Sequence, residues 1–315
     1  MRGMGLLIAL LALFVPVRQA WATLPAEQPY RIAHHGRLVT DVYINDQGPF
    51  TFLIDSASSR SLIFEHVRKQ LGLTQSQPGL LTIYGINDIG NAVPVKPGVL
   101  RVAGEEMRGI TLGVLADTET GGPDGVLGTD VLTRYFVVLD RGAMRIKFLP
   151  PGEASARDYA GWPQTPLVPR TLKKFPIQFW YLKARFNDRT ITSLFDLGAG
   201  TTMMNWGAAE RLGLRRRSFS AYGPPPLALQ DVLGAKSPAV ELLGMEVRLP
   251  GRSWARQSAI AAEAPIFGYF DLEEEPAAIV GPGLLRNNSL AIDFAGQRLF
   301  IGPTLADENR KGGPF

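Results

Sequence analysis

The chain alternates apolar and polar residues over short stretches, with Gly, Pro and Asn breaking the pattern at close intervals. Thr51 to Ile54, Phe136 to Leu139, Arg145 to Leu149, Leu290 to Ile292 and Arg298 to Ile301 all read as strands. Helical periodicity is confined to two segments, Leu62 to Leu71 and Trp206 to Leu212, each stopped by a Gly followed by Leu. Many short strands with few helices predict an all-β protein built as barrels or sandwiches.

The pattern occurs twice. Phe50 to Leu73 reads FTFLIDSASSRSLIFEHVRKQLGL, and Ile191 to Leu214 reads ITSLFDLGAGTTMMNWGAAERLGL. Each is an apolar strand, an Asp, a turn of small residues and a short amphipathic segment ending in Leu-Gly-Leu. Asp55 to Leu71 and Asp196 to Leu212 both span 16 residues. A second pair follows in the same order, GTDVLTRYFVVLDRGAMRIKFLP from Gly128 and GPGLLRNNSLAIDFAGQRLFIGP from Gly281, with 12 residues from each Gly to Asp140 or Asp293. Two blocks in register predict two homologous lobes, residues 23–150 and 166–303. Pro150, Pro151, Pro163, Pro166 and Pro169 mark residues 151–165 as the linker, because proline is excluded from ladder and helix interiors. Residues 304–315, polar and Gly-rich from Asp307 on, read as a flexible tail.

Composition narrows the picture. The 315 residues are 45% apolar and 20% charged, enough for a buried core. Residues 1–22 have a basic start at Arg2, an apolar run from Gly5 to Val17 and an Ala20-Trp21-Ala22 cleavage pattern. They predict a signal peptide and no stable membrane anchor after its removal. There is no cysteine, which excludes disulfides, thiolate catalysis and Cys-based zinc sites. An exported chain without disulfides is expected in a periplasm or outside the cell. The net charge of +4 falls to +2 once Arg2 and Arg18 leave with the signal. The densest basic run, Arg215 to Arg217, follows a helix end and reads as a solvated face, so no nucleic-acid partner is expected. His34, His35 and His66 are the only histidines, too few to imply a metal site, and no cofactor motif is present. Asp140 and Asp293 precede turns and are expected to cap them.

The candidate chemistry lies at the repeated Asp. Each ends an apolar strand, where a carboxylate is unfavourable without partners or a task. The two contexts are Asp55-Ser56-Ala57-Ser58 and Asp196-Leu197-Gly198-Ala199, with later apolar-apolar-Gly elements at Val126-Leu127-Gly128 and Ile279-Val280-Gly281. This arrangement resembles the aspartic proteases, both bacterial retropepsin-like proteins and the two-lobed pepsin-like enzymes. The resemblance implies an acid-protease fold of two β-barrel-like lobes, with Asp55 and Asp196 sharing a proton across a cleft and activating water against a peptide bond. It also implies supporting turns at Ser56, Ala57, Ser58, Leu197 and Gly198, and a flap bearing Tyr84-Gly85 over the substrate. Metals and cofactors are not implied. The partner would be a peptide or unfolded protein, and one chain, holding both half-sites, would suffice as a monomer. Two residues depart from the family pattern. Ala57 stands where a Gly is usual, and Leu197 where a Thr or Ser hydroxyl would lock the two turns together. Ser58 is placed to hydrogen-bond Asp55, whereas Ala199 offers Asp196 no such group. The asymmetry keeps a second reading open, a catalytically inert lobe pair that binds peptides or a protein partner.

Overall fold

The computed structural model describes residues 26–33, 36–84, 89–117, 122–213, 227–230 and 236–305. Residues 1–22, expected as a signal peptide, together with Gly85, His34, His35, the Arg215 to Arg217 run and residues from 306 on, lie outside them.

One antiparallel sheet is shared by both halves of the chain. Its order is Gln164–Pro166, Arg298–Thr304, Asn288–Asp293, Phe136–Asp140, Arg145–Leu149 and Glu27–Ile32. At its centre a strand of the first half meets its counterpart in the second, from Phe136 opposite Asp293 to Leu139 opposite Leu290. Both are buried nearly end to end, because each face of the sheet is covered. Val137, Leu139, Leu290 and Ile292 point into the main core. Phe136, Val138, Ala291 and Phe300 point the other way, against Ala156, Tyr159 and Trp162. The period-two alternation thus separates two cores.

Above this sheet the two halves repeat one plan. In the first, Leu38–Ile44 is antiparallel to Gln47–Ile54, whose end runs parallel to Gly125–Leu127. That strand is antiparallel to Leu62–Phe64, which is parallel to Leu112–Leu115. In the second, Gln178–Phe186 pairs with Arg189–Phe195, then Ala277–Val280, Met203–Met204 and Arg252–Ala262, with the same sequence of directions. A pseudo-twofold axis between the central strands relates the two.

Four expectations need adjustment. Leu62 to Phe64 is a strand, and the helix begins only at Glu65 and ends at Gln70. Three consecutive buried apolar side chains there are held by ladders on both sides, which outweighs local helical spacing. The segment between the lobes contains a helix, Glu153–Arg157, lying after Pro151 and before Pro163, that seals the back of the shared sheet. Pro166 and Pro169 do sit in ladders, but on the terminal strand of each sheet, where a missing N–H need not face a partner. The final strand also runs through Thr304, one residue past the expected end of the lobe. The second helix, Trp206–Arg211, lies where its spacing places it, capped by the Asn205 side chain accepting from Ala208 N–H. Among the described residues no helix is long and apolar enough to cross a membrane.

Candidate active site

Each repeated Asp is the first residue beyond a buried strand. Its backbone stays pinned by the neighbouring parallel strand: Asp55 N–H donates to Leu127 O and Asp196 N–H to Val280 O, both at 3.0 Å. The chain then turns sharply. Room for the turn comes from the glycine that ends the neighbouring strand. A β-carbon on Gly128 would lie 2.6 Å from the Arg60 carbonyl carbon and 2.8 Å from Ser58 O, and one on Gly281 would overlap the Asp196 carbonyl oxygen. The apolar-apolar-Gly elements are therefore a packing requirement of the Asp turns.

The turns bring the two carboxyls together. Asp55 and Asp196 hydrogen-bond one another through their side chains. Gly198 lies against both: a β-carbon there would sit 2.8 Å from Asp55 Cγ, 2.9 Å from Asp55 Oδ2 and 3.1 Å from Asp196 Oδ1. Asp55 Oδ1 accepts from Ala57 N–H at 2.8 Å and Ser58 N–H at 3.0 Å. Asp196 Oδ1 accepts from Gly198 N–H alone, at 2.7 Å. The Ser58 hydroxyl donates instead to Arg60 O at 2.8 Å, so its backbone rather than its side chain serves Asp55.

One serine ties the halves together. The buried Ser56 hydroxyl donates to Phe195 O and accepts from Leu197 N–H, both at 2.9 Å. The pseudo-equivalent Leu197 side chain is fully buried in the main core, so the cross-tie exists in one direction only. A second asymmetry lies beneath. Ser61 donates its N–H and hydroxyl to Asp130 Oδ1 and receives Gly128 N–H. In the second half Gly283 occupies the place of Asp130, where a β-carbon would lie 2.6 Å from Thr201 Cα.

Both carboxyls titrate above the usual range, chiefly because the surrounding protein displaces water from them. Asp196 is raised the more. The Asp55 charge adds to its burial, and it has one backbone donor where Asp55 has two. The Arg37 guanidinium is near enough to favour the ionised form of each. Two carboxyls in contact cannot both ionise, and they titrate as a unit for which aspartic-protease pairs are the reference case. The second backbone donor at Asp55 favours the ionised form there more than the single donor does at Asp196.

Tyr84 ends the strand Leu81–Tyr84, which pairs antiparallel with Ile89–Val95. Its ring packs on two aromatics of the other half, Phe175 at 4.8 Å and Tyr269 at 5.1 Å between centroids. Arg37, Phe175, Tyr269 and the Ser61–Asp130 pair were not singled out by sequence. Counting back from the repeated Asp would have placed Arg37 and Phe175 in matching loops, 18 and 21 residues upstream. Asp140 and Asp293 accept from Ala143 and Gly296 N–H and cap their turns, as expected.

Comparison with known proteins agrees with this geometry. Residues 40–131, which include Asp55 and Gly128, match the aspartyl protease family. No curated protein sequence matches the chain. An aspartic proteinase from Irpex lacteus is 11% identical with a TM-score of 0.55, over 89% of this chain and 97% of that one. A retropepsin-like aspartic protease from Rickettsia conorii is 18% identical with a TM-score of 0.31, over 39% of this chain and 89% of that one. Residues 40–131 thus resemble the aspartyl protease family, and the chain as a whole has the two-lobed, all-β fold of the pepsin-like aspartic proteases.

Proposed function

We propose that this protein is an exported aspartic endopeptidase that cleaves extended peptides between its lobes. The observation that carries the reading is the hydrogen bond between the Asp55 and Asp196 carboxyls at the meeting of two pseudo-equivalent turns. Asp55, held ionised by two backbone N–H groups, takes a proton from a water lying between the pair. Asp196, holding the shared proton, donates a hydrogen bond to the scissile carbonyl oxygen. The water oxygen bonds to the carbonyl carbon, and the carbonyl oxygen becomes a hydroxyl by taking the Asp196 proton. Asp55 then passes its proton to the amide nitrogen as the C–N bond breaks, while one hydroxyl of the intermediate returns its proton to Asp196, releasing an acid and an amine and restoring the pair. Nothing in these steps requires a metal. Tyr84 on its hairpin covers the substrate, whose backbone would pair with the flap edge. Removal of residues 1–22 would deliver the protein to a periplasm or the cell exterior, where a monomer suffices.

The test is cleavage of a mixed peptide set by the protein lacking residues 1–22, from acidic to neutral pH, beside Asp55→Asn and Asp196→Asn. Cleavage by the wild type and its loss in both variants is expected. Cleavage surviving in both would remove the pair from the mechanism. Saturable peptide binding without cleavage at any pH would replace the reading with an inert binding protein.

A further inference from the structure

Two loops face the dyad from pseudo-equivalent positions, and their chemistry differs. In the first half the loop joins Glu27–Ile32 to Leu38–Ile44 and ends at Gly36-Arg37. Gly36 has φ of 75° and is pressed against the other half. A β-carbon on it would lie 3.2 Å from an Arg286 guanidinium nitrogen and 3.3 Å from Gly200 O, four residues beyond Asp196. In the second half the loop joins Val168–Thr171 to Gln178–Phe186 and carries Phe175, which crosses to Tyr84. By the twofold relation the loops lie on opposite sides of the dyad. The first loop ends at Arg37 and lies beside an Arg286 guanidinium nitrogen, whereas the second carries an aromatic ring.

Arg37 is partly buried, and no carboxylate among the described residues pairs with it or with Arg286. Charges withdrawn from water normally have partners. The dyad is near Arg37 but carries a single negative charge already met by backbone donors. A guanidinium presents a planar fork that matches a carboxylate and holds it in fixed orientation.

We propose that Arg37, supported by Arg286, forms a subsite for a peptide carboxylate, so that the cleft selects substrates bearing an acidic group on that one side of the bond cleaved. This deepens the endopeptidase reading and rests on it for its kinetic readout. Arg37 acts here as a specificity residue.

The experiment uses fluorescence-quenched peptides with amidated C-termini, in which Glu, Gln, Ala or Lys is placed at each position flanking a fixed apolar core. A second arm compares free and amidated C-termini on peptides without acids. At one position, on one side only, Glu should exceed Gln by roughly tenfold or more in kcat/KM, mostly through KM, as a charge-assisted contact implies. If the terminal carboxylate is the group read, the preference appears in the second arm instead. Arg37→Gln should flatten the preference, and Arg37→Glu should transfer it to Lys at the same position, a swap that a merely structural role would not produce. Equal rates for Glu and Gln peptides together with indifference to the terminus, or an unchanged profile in folded Arg37→Glu, would overturn the proposal. If the wild type cleaves nothing, the endopeptidase reading fails, and fluorescence anisotropy of the same peptides decides the subsite. Glu-selective binding that inverts in Arg37→Glu upholds it, and unselective or absent binding overturns it.

Discussion

Gly198 offers a sharp test of how closely the carboxyls converge. Its backbone is outside the left-handed region, so alanine is tolerated in conformation and only space is at issue. The added methyl would lie 2.8 Å from Asp55 Cγ, where ordinary carbon contacts are about 3.5–4.0 Å. The pair must therefore separate by about 0.7 Å or more. Asp55 is held by two backbone N–H groups, so either those bonds or the bond to Asp196 must give. Overpacking of this kind destabilises by about 1–3 kcal/mol. Displacement of a reacting group by about 1 Å lowers turnover by roughly a hundredfold. Gly198→Ala should thus lose most of its kcat with KM little changed, and melt a few degrees lower. Gly161→Ala is the control: nothing lies near its added carbon and its backbone is also unstrained, so stability should hold or rise slightly. Steady-state kinetics and thermal melts of both variants decide. A Gly198→Ala enzyme within twofold of wild-type kcat would refute the tight geometry.

Other consequences follow from the same contacts. Ser56→Ala leaves Phe195 O and Leu197 N–H without their buried partner, at about 1–3 kcal/mol for each orphaned group, so a denaturant midpoint close to wild type would mean the cross-tie contributes little. Asp196 has a folded pKa raised above its unfolded value, so the folded state holds an extra proton and loses stability as pH rises beyond about 4. Asp196→Asn should therefore gain melting temperature over wild type between pH 3 and pH 7, and a difference flat with pH would contradict this. His66 is partly desolvated, but hydrogen bonds to Asp124 and Asp117 outweigh that and raise its pKa. Its stabilisation is complete below about pH 6.5 and disappears as pH rises through the folded value. His66→Ala should accordingly lower the melting temperature at pH 5 and leave it nearly unchanged at pH 9.

The dyad was legible because duplication wrote it twice. Asp55 and Asp196 share strand, turn and spacing, and the later glycines at 128 and 281 recur because each Asp turn needs the space. Strand content was legible from alternation alone. Local pattern misled where ladders decide, as at Leu62 to Phe64, whose neighbours on both sides are far away in sequence. It also misled at Pro166 and Pro169, because the exclusion of proline from ladders is relaxed at an edge and nothing local tells an edge from a centre. Arg37, Phe175 and Tyr269 sit in segments without a motif, and their relevance arises only when each half reaches across to the other. The extra backbone N–H at Asp55 is a feature of turn geometry that residue identity does not reveal.

The central claim is that one proton is shared by Asp55 and Asp196. It is tested most directly by NMR titration of the protein labelled with carboxyl-13C aspartate, with the two signals assigned from Asp55→Asn and Asp196→Asn. The account predicts two resonances that shift together, with one carboxyl keeping its proton well above pH 4 and its partner's transition moving when either residue is replaced. Two independent transitions at ordinary aspartate pKa, each indifferent to loss of the other, would contradict it.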